Sequence, residues 1–227
     1  MQRCDFILGV GTAAGSACSA LAIRSSRLAP PVWRWLAGGA ICALASAPAA
    51  AAQDCPTAAS GKTGFVVERG DQQKSEVFHV GDGAIRTVMR YNGTTVLETT
   101  QHEGLFQLDR LDNGRRAKFE PQSDLKKLFP LRPGRNVGAK FISENNGRQV
   151  TLTVDLTVRG ADVLYIGPCK YNVLKIERSE SRTADPPPFV DTDYYSPDLK
   201  LILAREYREN NGGTHTVKYD RIYSLKR

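Results

Sequence analysis

Catalytic signatures are scarce in this chain of 227 residues. Its three histidines, His79, His102 and His215, fall on separate predicted elements. Neither the Gly-x-Ser-x-Gly turn of serine hydrolases nor the His-Glu-x-x-His pattern of zinc peptidases occurs. The five cysteines include no Cys-x-x-Cys pair and lack histidines at zinc-binding spacings. The sequence therefore predicts no catalytic residue, no metal site and no cofactor.

Long apolar runs are lacking as well. The stretch Leu36 to Ala47 carries no charge, but it is short and rich in alanine, whereas a membrane-spanning helix needs about 20 strongly apolar residues. No long segment has the period of three to four residues that marks an amphipathic helix. We therefore expect no transmembrane span after residue 52 and little helix.

The positive charge is mild and unevenly distributed. The chain has 31 basic and 24 acidic residues, a formal net charge of +7. Residues 1–52 contain four arginines and one acidic residue, so the remainder has 27 basic residues against 23 acidic ones. No RNA-recognition signature accompanies this charge. We therefore expect no nucleic-acid partner.

The order of residues in the amino-terminal segment is typical of a secretory signal peptide. Arginines up to Arg34 precede the uncharged stretch, and small residues follow at Ala49 and Ala52. We expect cleavage after Ala52, with Ala49 as the second choice. The alternative is a retained anchor.

These features divide the chain into three parts. Residues 1–52 are the predicted leader and signal peptide, with residues 1–27 either an unusually long leader or an over-called start of translation. Residues 53–62 are expected to be a flexible mature amino terminus. Residues 63–227 are expected to form one domain, located in the periplasm or secreted.

Cleavage would leave an even pair of cysteines, Cys55 and Cys169. In an oxidising compartment this pair is expected to form a disulfide between the mature amino terminus and the middle of the domain. The alternative is a buried free thiol at Cys169, with Cys55 in a loose terminus.

Alternating polar and apolar residues predict an all-β domain after residue 62. Asn92-Gly93 and Asn113-Gly114 are strong hairpin signals because both residue types tolerate positive φ. In residues 151–158 threonine and aspartate alternate with leucine and valine, as in a half-buried strand. We expect about ten strands in one strongly curved antiparallel sheet, an open barrel or a sandwich.

Three places are predicted to interrupt the strands. Residues 121–136 contain prolines and a glycine that exclude a regular strand, and Ser123 is expected to cap one helical turn through Leu128. Gly160 is expected to turn the chain. Asp185 to Phe189, with three consecutive prolines, is expected to be a loop.

Three runs of sequence resemble a family of exported bacterial β proteins of unknown function. They are LFPLRPGRNVGAKF, VRGADVLYIGPCKYNVLKIERS and TDYYSPDLKLILAREY. The resemblance rests on Pro-Leu-x-x-Gly at residues 130–134, a strand that ends at Gly167, and Tyr-Ser-Pro-x-Leu at residues 195–199. It implies a curved half-barrel similar to that of lipoprotein carriers and implies no catalytic residues. Cys169 departs from the family, in which small or hydroxyl residues are common at that position.

The segment from Arg110 to Lys140 is the basic region of the domain, with nine basic residues against three acidic ones. It is interpreted either as a solvated loop or as a patch that captures an acidic head group. The predicted ligand-binding residues are Lys126, Lys127, Phe129, Leu131, Arg132 and Arg135.

Two functional hypotheses follow. The first is a non-catalytic exported envelope protein that binds a lipid-like or amphipathic ligand, an acidic glycan or another envelope protein. The second is a secreted hydrolase with an acidic site in residues 185–198, where Asp185, Asp191, Asp193 and Asp198 cluster. The interior of the sheet discriminates between them, because an apolar pocket favours binding and convergent histidines and carboxylates favour chemistry.

Overall fold

The computed structural model describes residues 54–145, 148–182, 189–209 and 212–225. The predicted leader, residues 1–52, lies outside them. The described residues contain one short helix, α1, and one 3-10 turn; the rest of the regular structure is strand. The elements in chain order are α1 (Ser60–Thr63), β1 (Phe65–Arg69), β2 (Gln73–Gly81), β3 (Ala84–Tyr91), β4 (Thr94–His102), β5 (Phe106–Asp112), β6 (Arg115–Pro121), the 3-10 turn (Leu125–Leu128), β7 (Asn136–Asn145), β8 (Arg148–Ile166), β9 (Cys169–Arg182), β10 (Phe189–Ser196), β11 (Leu201–Arg208), β12 (Thr214–Lys218) and β13 (Arg221–Ser224).

All thirteen strands belong to one sheet in which every neighbouring pair is antiparallel. Its order is β12-β11-β10-β9-β8-β7-β6-β5-β4-β3-β2-β1-β13. The predicted all-β fold with one antiparallel sheet is thus confirmed, with more strands than the ten expected. No helix in the part of the chain that the structure describes has the length and apolarity needed to cross a membrane.

The sheet curls until its two ends come together. β12 pairs with β11 and β13 pairs with β1, yet only Tyr219 and Asp220 separate β12 from β13 in the chain. The Tyr219 amide donates to the carbonyl oxygen of Leu203, and the Asp220 amide donates to that of Glu68 at 2.8 Å. Residues 214–224, the last strand run, therefore pair first with β11 at one end of the sheet and then with β1 at the other end. This double pairing fixes the strong curvature of the sheet.

The predicted turn at Gly160 is wrong. Residues 148–166 form one 19-residue strand, β8, and Gly160 lies at a shift of register against β9. Its φ is not in the positive range, and no atom stands within 4 Å of where its Cβ would lie. A glycine in a strand marks a bulge as readily as a turn. β8 contributes to one core cluster before this register shift, through Leu152 to Val158, and to another after it, through Ile166.

The two core clusters lie at different places along the long strands. The first cluster includes Phe106, Phe141 and Ile176, and the 3-10 turn covers it through Leu125. The second includes Phe65, Val77, Ile85, Leu203 and Ile222 and reaches the tip of the β8–β9 hairpin at Ile166. Both clusters draw residues from strands far apart in sequence, so the curled sheet encloses its own core.

The amino-terminal residues of the described chain are attached to the second cluster. Cys55 forms a disulfide with the buried Cys169, with a Cα–Cα distance of 5.5 Å. The expected pairing is therefore present, rather than a free thiol. Gly61 of α1 packs against the ring of His79, because a Cβ on this glycine would lie 2.1 Å from the His79 Nδ1 atom.

The Asn-Gly hairpins occur where they were predicted. Asn92 and Asn113 have positive φ, and each is followed by a glycine with positive φ, between β3 and β4 and between β5 and β6. The third Asn-Gly pair, residues 146–147, lies outside the described residues. Local turn chemistry was sufficient for these connections.

Two other local predictions need correction. The 3-10 turn is capped by Asp124 rather than Ser123, since the Asp124 carboxylate accepts the Lys126 amide at 3.1 Å. Phe189 was assigned to a loop, but it begins strand β10, Phe189–Ser196, which the sequence interpretation missed. The other loop residues, 185–188, lie outside the description. β10 escaped notice because its aspartates resemble those of a polar surface loop.

Candidate functional site

A cavity of about 300 Å³ lies inside the curled sheet. One wall comes from β1 to β5, and the other from β11, β12 and Tyr219. A volume near 300 Å³ is at the lower end of the range for small-molecule sites. The cavity therefore has room for a small ligand or for the end of a larger one.

The register of β3 and β4 places the first wall. Thr87 pairs with Thr99 and Met89 pairs with Leu97, so the four side chains share one face of the sheet. All four line the cavity. This wall therefore alternates hydroxyl groups with apolar side chains.

The second wall is more apolar at depth and polar towards solvent. Leu201 and Leu203 of β11 are buried at 6% and 0% exposure. Tyr207, at the other end of the strand, is exposed. Tyr219 closes the cavity where the sheet ends meet, and burial raises the pKa of its hydroxyl. The cavity thus has an apolar interior and a polar mouth.

Two buried polar atoms at the cavity wall have no hydrogen-bond partner among the described residues. They are Thr87 Oγ1 and Gln107 Nε2. A buried polar group without a partner costs about 1–3 kcal/mol. In native proteins such groups are satisfied by ordered water or by polar atoms of a bound molecule. Two residues of the cavity lining, Thr87 and Gln107, therefore each carry a buried donor without a partner among the described residues.

A buried ion network includes Arg205, one of the residues that line the cavity. Asp193 accepts hydrogen bonds from Arg178 Nε and Arg205 Nε, both at 2.6 Å, and is fully buried. The Arg178 guanidinium also donates to the carbonyl oxygen of Leu105 at 3.0 Å. Since Leu105 follows the β4–β5 turn, the network attaches this turn to β9, β10 and β11.

Two further contacts attach the same turn. The Tyr195 hydroxyl donates to the carbonyl oxygen of Glu103 at 2.8 Å, and burial raises the pKa of this tyrosine. Lys200 Nζ lies 2.8 Å from the Glu103 carboxylate. A Cβ on Gly104 would lie 1.8 Å from the Lys200 carbonyl oxygen. The β4–β5 turn, which contributes Gly104 to the cavity lining, is therefore tightly packed.

The predicted basic residues lie elsewhere. Lys126, Lys127 and Arg132 are exposed, on or just after the 3-10 turn. Lys126 Nζ lies 3.7 Å from the exposed carboxylate of Asp82. The Arg135 guanidinium folds back onto the segment and donates to the carbonyl oxygens of Pro130 and Lys127. None of these four cations lines the cavity described above.

The two apolar members of the predicted site are part of the protein's packing. Phe129 and Leu131 are partly buried against the first core cluster. The Phe129 ring meets His102 edge-on at 5.5 Å between centroids and Phe106 at 6.1 Å. The structure therefore brings the six predicted residues onto one segment and uses the apolar pair to anchor it.

The described aspartates of the hydrolase hypothesis lie in different environments. Asp193 is held by two arginines in the buried network. Burial raises the pKa of Asp191, and Asp198 is exposed in the turn before β11. Asp185 lies outside the described residues. Within residues 54–225, gaps excepted, no cluster of three histidine, cysteine or carboxylate side chains is placed to hold a metal ion.

The three histidines occupy separate strands, as their sequence positions indicated. His79 Nε2 lies 3.0 Å from the Leu199 carbonyl oxygen, to which it can donate. His102 is buried, and desolvation lowers its pKa. His215 is exposed on β12. None of them lines the cavity.

No protein-family model matches the chain, and no curated protein matches it significantly. Among solved structures it is similar to the hypothetical lipoprotein YmcC of Escherichia coli, with 10% identity, a TM-score of 0.43, and coverage of 68% of this chain and 86% of that one. It is also similar to a Bacteroides fragilis protein described as exported and of YmcC-like fold, with 10% identity, a TM-score of 0.35, and coverage of 70% and 92%. Neither description states a role.

Proposed function

We propose that this chain is a non-catalytic, exported protein of the bacterial envelope that binds a small amphipathic molecule in the cavity. The apolar part of the ligand would lie against Leu201, Leu203 and Leu97, and its polar atoms would meet Thr87 and Gln107. Support comes from the mixed polar and apolar lining of a half-open cavity formed by strands of one β sheet.

The observation that carries this proposal is the pair of unpartnered polar atoms, Thr87 Oγ1 and Gln107 Nε2. In a purely structural interior, strand positions facing inward would be apolar, because an unsatisfied polar group is destabilising. Here both residues line the same cavity, Thr87 from β3 and Gln107 from β5. A ligand with a hydrogen-bonding group would satisfy them.

The test uses the neutral fluorescent probe N-phenyl-naphthylamine, whose emission rises in an apolar site. Protein purified from the envelope of its host should bind it with saturation. The substitution Thr99→Phe fills the cavity and should abolish binding, whereas Thr95→Phe, on the exposed part of the same strand, should leave it unchanged. Thr99→Phe risks destabilising the protein by overpacking its interior. Thr87→Val is therefore a second variant, which keeps nearly the same side-chain volume and removes the Thr87 hydroxyl group. A probe that binds both phenylalanine variants equally would contradict the proposed site.

The export half of the proposal rests on the signal-peptide order of residues 1–52. Amino-terminal sequencing of protein from the envelope should begin at or near Gln53. Recovery of a chain that retains the residues before Trp33 would contradict it.

We propose a separate, surface role for the basic segment, in which Lys126, Lys127 and Arg132 attract an acidic membrane surface. Their exposure and the anchoring of the segment by Phe129 support it. Binding to anionic vesicles should occur at low salt and weaken as salt rises. The double substitution of Lys126 and Lys127 to Glu should weaken it further, with Lys170→Glu as the exposed control. Binding unchanged by that reversal would leave the segment a solvated loop.

A further inference from the structure

The charged side chains that line the cavity are all positive. The lining includes Arg69, Arg110, Arg205 and Lys218 but no aspartate or glutamate. A cavity lined by charges of one sign with low-dielectric walls focuses the field and raises the local concentration of the opposite ion. The chemistry of the lining thus favours a ligand with a negative charge.

Two of these cations already have carboxylate partners. Arg205 Nε binds Asp193 at 2.6 Å in the buried network, and Arg110 pairs with Asp112 at 2.6 Å. Their charges are balanced within the protein, which leaves Arg69 and Lys218 to set the net charge of the mouth.

Arg69 and Lys218 have no carboxylate partner in the described ranges. The Arg69 guanidinium donates to the neutral side-chain oxygen of Gln73 at 2.5 Å, and no ion pair of Lys218 is found among the described residues. Both side chains are exposed. They are therefore positioned at the solvent side of the cavity with their charge available.

The last strand run, residues 214–224, carries Lys218 on β12 and then crosses to the end of the sheet that holds Arg69. Asp220 bonds through its amide to the Glu68 carbonyl oxygen, and through its carboxylate to the Gly70 amide at 2.7 Å. These two bonds are made to the residues on either side of Arg69, and Lys218 is two residues before Asp220, which makes both of them. The nearby carboxylate of Glu68 is engaged by Arg221 at 2.9 Å and that of Asp220 by the Gly70 amide, and neither lies within ion-pair distance of Arg69 or Lys218.

We propose that Arg69 and Lys218 bind the anionic head group of the cavity's ligand, a carboxylate, phosphate or sulfate. The rest of that ligand extends inward, with its apolar part towards Leu203 and its remaining polar atoms at Thr87 and Gln107. This inference rests on the proposed function and narrows it from amphipathic molecules in general to anionic ones. Arginine binds such oxyanions through paired donors, and lysine adds a point charge.

Competition against the neutral probe tests the head group. Three competitors share one alkyl chain length and differ in charge: decanoate is anionic, decanol is neutral and decylammonium is cationic. Decanoate should displace the probe at the lowest concentration and decylammonium at the highest. The advantage of decanoate should shrink as salt rises, because the mouth is exposed to solvent.

Charge removal identifies the residues. Arg69→Gln and Lys218→Gln should each weaken decanoate binding about two- to fivefold, the scale of a solvent-exposed ion pair, and should leave decanol unchanged. Lys170→Gln, an exposed lysine on β9 that does not line the cavity, is the matched control. Circular dichroism establishes that each variant is folded.

The outcomes separate the two proposals. If the probe binds and all three competitors displace it equally, or if both glutamine variants bind decanoate as well as the control does, the anionic head group is overturned and amphipathic binding stands. If neither the probe nor any of the three competitors binds, both proposals fail.

Discussion

Asp193 shows what a single buried charge does in this sheet. It is 0% exposed and its two carboxylate oxygens accept hydrogen bonds from two different arginines. A buried ion is tolerable only when partners replace the water it has lost. Because Arg178 and Arg205 come from β9 and β11, the residue joins the two neighbours of its own strand.

Replacing this carboxylate is expected to be severely destabilising. Asp193→Asn keeps the shape but removes the buried carboxylate that Arg178 and Arg205 share, leaving Arg178 only its pair with Glu180 at 3.1 Å, which should lower the free energy of unfolding by about 3–5 kcal/mol. Urea unfolding followed by circular dichroism measures it. Asp198→Asn, at an exposed turn position, should be within about 0.5 kcal/mol of wild type. Equal stability of the two variants would show that the network is not required for the fold.

His102 makes stability depend on pH. Its Nε2 is buried without a partner, and its ring packs on Phe129. Desolvation is the main cause that lowers its pKa, and the charged groups facing it are Glu103, Lys200, Lys126 and Asp124. The unfolded chain therefore takes up a proton near pH 6.5 before the folded protein does.

Because the pKa is lowered on folding, stability should be highest above about pH 6.5 and should fall as pH decreases towards the folded pKa, with a slope of at most about 1.4 kcal/mol per pH unit from this residue. The urea midpoint between about pH 7.5 and 5.5 measures it. His102→Leu should flatten the profile, and His215→Leu, exposed on β12, should not. A wild-type profile that is already flat would contradict this assignment.

At the scale of elements, two glycines that look alike in sequence have opposite roles. Gly104, with φ of +68°, meets the Lys200 backbone, whereas Gly160 has free space around its missing Cβ. Gly104→Ala should therefore lower the free energy of unfolding by about 2–4 kcal/mol through steric conflict and backbone strain. Gly160→Ala should stay within about 1 kcal/mol of wild type. Urea unfolding of both variants measures the two free-energy changes. If Gly160→Ala were the more destabilising of the two, the β4–β5 turn would not be packed as described.

The hairpins could be predicted because their signals are local. Asn-Gly pairs specify a turn wherever they occur, since the required positive φ is a property of those residues. The disulfide could also be anticipated, because cleavage at the predicted site leaves only two cysteines. The continuity of β8 through Gly160 could not, since a glycine is compatible with both a turn and a bulge, and only the register against β9 decides between them.

The cavity could not be located from the sequence for a different reason. Its lining combines strands β1 to β5 with β11 and β12, and their meeting depends on the curl of the whole sheet. One signal was available in retrospect: Thr87, Thr99 and Gln107 occupy inward positions of strands where apolar residues are the norm. The basic segment attracted attention instead because its charges are consecutive in the chain.

At the scale of the molecule, the disulfide joins the start of the described chain to the β8–β9 hairpin across a sequence separation of 114 residues. Cross-linking a loop of this size stabilises by about 4–5 kcal/mol in the chain-entropy model. Cys55→Ala should therefore lower the urea midpoint clearly. Cys169→Ala should lower it at least as much because it also removes a buried side chain, and the double variant should match Cys169→Ala. An unchanged midpoint for Cys55→Ala would contradict a stabilising role.

The crossing at Tyr219 and Asp220 has a consequence for the timing of folding. Hairpins between neighbouring strands can form as soon as both strands are available, since they need only short loops to close. The outer edges of β1 and β11, by contrast, wait for residues 214–224, and Gly70 and Asp220 are 150 residues apart in sequence. Until that strand run arrives, both edges present unpaired backbone groups that recruit strands from other chains. The interval before its arrival is therefore when the polypeptide is most exposed to aggregation, and the last strand run acts as the closing step of assembly.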